Sequence, residues 1–83
     1  MTTAIVKWFN NDKGMGFAKP ITEGVVDTDH EDIFLHHSNI VKKEVNGNDY
    51  TVLHTGELIE CNVIKTENGL KGVDIKLVRH QLG

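Results

Sequence analysis

Ile5-Val6-Lys7-Trp8-Phe9-Asn10-Asn11-Asp12-Lys13-Gly14-Met15-Gly16-Phe17-Ala18-Lys19-Pro20 is the stretch on which the fold turns. Ile5 to Phe9 is β-branched and aromatic, and it stops at a cluster of turn formers running from Asn10 to Gly14, which reads as a strand entering a turn. Met15 to Lys19 alternates large and small residues until Pro20. Proline cannot donate to a ladder, so the second strand should end there or lie on an edge. A strand, a tight turn and a second strand account for the first quarter of the chain.

Further along, Asp32-Ile33-Phe34-Leu35-His36-His37 reads as a third strand. Successive side chains of a strand point to opposite faces. Ile33 and Leu35 therefore face a core, and Phe34 and His36 face outward. In the C-terminal half, Ile59, Cys61 and Val63 share one face of a fourth strand, and Val73, Ile75 and Leu77 share one face of a fifth. Glu67-Asn68-Gly69 between them is a hairpin signal, because Asn-Gly takes the positive φ angles of a tight turn readily. Residues 38–55 read as a long connection without a strand, with one short helical turn near Asn39-Ile40-Val41-Lys42.

No window of a dozen residues places apolar side chains at i, i+3, i+4 and i+7, so a long amphipathic helix is not expected. Five strands in 83 residues leave many edges, and closing the sheet removes them. The expected architecture is all-β, a five-stranded antiparallel barrel forming one domain over residues 1–83 with its core at about 3–78.

Composition excludes several classes. Hydrophobic residues make up 39% and charged residues 25% of the chain, a globular balance rather than a disordered or membrane one. Cys61 is the single cysteine, so neither an internal disulfide nor a four-cysteine zinc site can be built. A basic leader followed by an apolar run is lacking, which points to a cytoplasmic protein without a membrane partner. The net charge of −3 argues against a phosphate-bearing partner, but its distribution is uneven. Residues 1–20 hold Lys7, Lys13 and Lys19 against Asp12, whereas residues 21–32 hold Glu23, Asp27, Asp29, Glu31 and Asp32 with no lysine or arginine.

The stretch Lys7 to Phe17 and the stretch Asp32 to Ser38 together resemble the two ribonucleoprotein motifs of the cold-shock domain. The resemblance implies a five-stranded oligonucleotide/oligosaccharide-binding (OB-fold) barrel, no catalysis, and sequence-tolerant binding of single-stranded RNA or DNA. By position it assigns Lys7, Trp8, Phe17, Phe34 and His36 to the binding face, with Lys13 beside it and Phe9 at its margin. Met15 and His37 stand where relatives usually carry an aromatic residue and a phenylalanine. Methionine can still pack on a base, and histidine can stack or, when protonated, meet a phosphate.

The residues themselves lead to the same chemistry. Rings on a half-exposed polar face need a cover, and an unpaired base supplies one worth roughly 1–3 kcal/mol. Lysines beside the rings suit phosphates, and Gly14 and Gly16 allow close backbone approach. The opposing reading for each ring is ordinary core packing, and Phe9 could turn inward at the strand end. Adjacent strand residues such as His36 and His37 diverge, so with His30 they make a poor metal chelate, and no metal or other cofactor is expected. A histidine–carboxylate pair lacks a nucleophile, so enzymatic activity is not expected either. Cys61 reads as a small core hydrophobe. Lys42, Lys43, Lys65 and Lys76 read as surface charges, and Lys71 as a peripheral phosphate contact. The acidic residues 21–31 either repel phosphate or solubilise a loop, with solubility favoured. The competing class is a protein-interaction module, the same barrel binding a partner such as a polymerase or nuclease through its apolar face or acidic loop.

Overall fold

Nine strand residues from Thr2 to Asn10 form β1, whose inward positions Ala4 and Val6 are small or β-branched and fully buried. The computed structural model describes residues 1–41, 43–45, 48–50 and 52–78, with the side chains of 43–45 and 48–50 left aside. The further elements are β2 (Met15–Thr22), β3 (Val25–Val26), β4 (Ile33–His36), a 3₁₀ turn (His37–Asn39), β5 (Lys43–Val45), β6 (Asn48–Tyr50), β7 (Leu58–Thr66) and β8 (Gly69–Leu77). Hydrogen bonding runs β1-β7-β8-β4-β2 and returns from β2 to β1, which closes a five-stranded barrel. The expected barrel is thus present. Every barrel pairing is antiparallel except β4 with β8, which is parallel, so the ring is mixed.

Ala4, Val6, Ala18, Ile33, Leu35, Ile40, Leu53, Ile59, Cys61 and Ile75 form its core. Ile33 and Leu35 are inside as alternation requires, and burial pushes the Cys61 thiol pKa up, consistent with an inert packing role. Gly72 is buried against Cys61 Sγ, Ile33 and Leu35, each about 3.3 Å from where a Cβ would sit. Small side chains let the two sides of so narrow a barrel meet.

Several sequence expectations need correction. Of the two options at Pro20, the strand end is excluded, because β2 runs on to Thr22, and the edge position is the one realised. Its pairing with β4 stops at Ala18, so proline sits where no donor is needed on that side. Residues 21–31 contain a short hairpin in which Thr22 pairs with Val25. Glu23 and Gly24, at φ 51° and 78°, supply the two positive φ angles of its turn. The connection at 38–55 holds an antiparallel hairpin, β5 with β6, where no strand was expected. The helical turn comes earlier than Asn39, at His37–Asn39, and Lys42 lies outside the described residues. Val73 leaves the inward face, because β8 carries one extra residue opposite Glu60–Asn62 of β7. Asp74 absorbs that bulge at φ 52°, a conformation aspartate tolerates.

Candidate nucleic-acid interface

Two residues of β1 face one residue of β2. Val6 pairs with Ala18 and Trp8 with Phe17, so Lys7 is extra. A bulge of this kind re-aims side chains, and here both Lys7 and Trp8 emerge on the outer surface, where strict alternation would have sent one of them inward. Trp8 is 44% exposed. Gly16 makes the bulge possible, since a Cβ there would lie 2.2 Å from the Trp8 carbonyl oxygen and 2.7 Å from the Phe9 Cα. Phe9 pairs with Gly16 and is half-buried against the core, the inward option for a residue placed at the margin.

On β2 and β4 the pleat is regular. Phe17 lies opposite Phe34 and Met15 opposite His36, and these four outward side chains are half-exposed. With Trp8 opposite Phe17, the rings form one row across three strands. Trp8 to Phe17 and Phe17 to Phe34 are each 5.7 Å between centroids at 59°, and Phe34 to His36 is 6.4 Å. His37 extends the row, its ring 4.5 Å from that of His36. The divergence expected for adjacent strand residues does not hold there, because β4 ends at His36 and His37 begins the 3₁₀ turn. Among the described residues, no group of three histidine, cysteine or carboxylate side chains is arranged to hold a metal.

Local hydrogen bonds set the edges of this face. The Asn10 side-chain oxygen accepts from the backbone N–H groups of Asp12 and Lys13 at 2.9 and 3.1 Å, and Gly14 N–H donates to the Asn10 carbonyl at 2.7 Å. This asparagine turn presents the exposed Lys13. Gly14 takes φ 68°, and its missing Cβ leaves room for the His37 ring, which would otherwise be met at 2.3 Å. His37 N–H donates back to the Gly14 carbonyl at 2.8 Å. His36 Nδ1 accepts the Ser38 backbone N–H at 3.2 Å and lies 2.7 Å from the Ser38 hydroxyl. An N–H can only donate, so Nδ1 is the acceptor and Nε2 carries the ring proton.

Asp32 sits beside Lys7 and Lys19, its Oδ1 at 2.9 Å from Lys19 Nζ and its Oδ2 at 3.7 Å from Lys7 Nζ. Lys19, by hydrogen bond and charge, holds the Asp32 carboxyl below its ordinary pKa against a smaller opposing effect of burial. The sequence reading counted Lys19 as charge only, although its spacing of two from Phe17 and four from Met15 puts it on their face. It also missed the far wall of a groove of about 450 Å³ that begins at Phe17 and Phe34 and is completed by Thr66, Asn68, Leu70 and Lys71. Of that wall only Lys71 had been singled out. Asn11, which exchanges hydrogen bonds of 3.0 and 3.3 Å with the Leu53 backbone, was likewise missed. Its partner lies 42 positions away, beyond any local pattern.

The family model described as the 'Cold-shock' DNA-binding domain matches residues 2–78. Cold shock-like protein CspA of Stigmatella aurantiaca is 36% identical over 78 residues, covering 94% of this chain and 98% of that protein. Cold shock-like protein CspB of Yersinia pestis is 33% identical over 73 residues, with 88% and 89% covered. Cold shock-like protein CspD of Vibrio cholerae is 42% identical over 72 residues, with 87% and 76% covered. A family match along nearly the whole described barrel, with a ring row on its outer face, places this chain in the cold-shock domain family.

Proposed function

We propose that this protein is a non-catalytic binder of single-stranded RNA or DNA. Unpaired bases stack on Trp8, Phe17, Phe34 and His36, with Met15 and His37 extending the platform and Phe9 supporting its edge. Lys7 and Lys13 meet the phosphates. The observation that carries this reading is the continuous, half-exposed row of rings over β1, β2 and β4, which wastes apolar area unless flat ligands cover it. The family description, which names DNA binding, supports it. Stacking needs no ATP and competes with base pairing, so many weak contacts would keep transcripts unpaired, the work of an RNA chaperone in transcription or translation.

The test compares a single-stranded oligonucleotide with a duplex of the same length. Duplex bases are stacked on one another and offer no free faces, so the single strand should bind far more tightly. Equal affinities would leave only electrostatics and defeat the stacking mechanism. No binding of either would favour the protein-interaction alternative.

A further inference from the structure

Lys19 lies on the binding side of β2, yet its side chain is only 16% exposed against 54% for Lys7. Its ammonium is engaged twice, by Asp32 Oδ1 at 2.9 Å and by the His30 carbonyl oxygen. It is therefore poorly placed to meet a phosphate. Asp32 is in reach of both lysines, and the nearer, less exposed one holds it. The Lys7 ammonium stands 3.7 Å from the other carboxylate oxygen, at the limit of an ion pair and open to solvent beside Trp8.

We infer that Lys19 is a positioning residue for nucleic-acid binding, which keeps the Asp32 carboxylate off Lys7 and so leaves the Lys7 charge for a phosphate. The inference rests on the single-strand reading above. Without Lys19, Asp32 has one cationic neighbour, and a paired Lys7 releases no counterion on binding. The trio carries two positive charges and one negative, and Lys19 decides which positive charge is spent inside the protein. His30 anchors the same ammonium, tying the end of the acidic segment 21–31 to the position of Asp32.

The test is the slope of log K against log salt for a single-stranded oligothymidylate, measured on wild type, Lys19→Met, Asp32→Asn and the double variant. Each phosphate contact contributes about −0.7 on single strands. Lys19→Met, which keeps the aliphatic stem, should make the slope shallower by about 0.7. In the Asp32→Asn background the same replacement should change nothing, because no carboxylate is left to mask Lys7. Lys19→Arg should retain the wild-type slope. A thermal melt establishes that each variant is folded, and Lys19→Gln, which keeps an amide donor, replaces the methionine variant if that one is not. An unchanged slope in Lys19→Met overturns the proposal. So does an equal loss in both backgrounds, which would make Lys19 a direct phosphate contact. Failure of the wild type to bind at all would remove the single-strand reading itself, and the positioning role with it.

Discussion

Phe17 has Trp8 on one side and Phe34 on the other at equal spacing, so it is the centre of the ring row. Phe17→Ala should weaken single-strand binding by roughly 1–3 kcal/mol, the value of one base–aromatic stack, and Phe34→Ala should do the same. Both rings are half-exposed and neither belongs to the core cluster. Their loss should leave the thermal transition nearly in place, and a collapse of that transition would show the rings to be structural. Met15, opposite His36, is a gap in an otherwise ring-lined platform. Met15→Phe should tighten binding, measured by titration with the same oligonucleotide, and unchanged affinity would mean the strand does not cross that position. A different residue-scale effect belongs to Asp32. Its folded pKa lies below the ordinary 3.8, so its contribution to stability is complete above about pH 4 and is lost as pH falls through the lowered value. Asp32→Asn should therefore flatten the acid limb of a melting-temperature profile. The effect should be small, because solvent screens a carboxylate this exposed.

At the scale of elements, the bulge in β1 is what brings Lys7 and Trp8 to the same surface, and Gly16 is its requirement. Gly16→Ala puts a methyl against backbone atoms that cannot swing aside. It should destabilise the fold by about 1–3 kcal/mol, the usual cost of overpacking, and also weaken binding by displacing Trp8. Chemical denaturation and titration of that one variant check both. The elements also show which features the sequence exposed. Period-2 alternation placed Ile33, Phe34, Leu35 and His36 on their faces because β4 is a regular strand. It failed at Val73 and at His37, where a bulge and a 3₁₀ turn break the period without any mark in polarity. The joint exposure of Lys7 and Trp8 came from the motif resemblance, since alternation alone forbids it. Asn46-Gly47, a hairpin signal of the kind read correctly at Asn68-Gly69, lies between β5 and β6, but its flanks are too short and polar to read as strands.

For the whole molecule, the barrel explains how a chain of net charge −3 can meet a polyanion. β1, β2 and the turn between them carry Lys7, Lys13 and Lys19, while Asp32 is matched by two of these lysines. With three or four phosphate contacts, Lys7, Lys13 and Lys71 among them and Lys19 not, log K should fall with log salt at a slope of roughly −2 to −3, whereas binding through rings alone would be nearly salt-independent. Closure of the sheet was legible from strand number and the need to remove edges. The groove wall at Thr66 to Lys71 was not, because the parallel contact of β4 with β8 joins residues nearly forty positions apart. Trp8, the single tryptophan, ends the row at β1 and reports on it directly. Its fluorescence, followed while a single-stranded oligonucleotide is added at low salt, tests whether bases stack on the ring row. Stacking on the row requires quenching that saturates as a base covers the indole. An unchanged signal at high oligonucleotide concentration would contradict it.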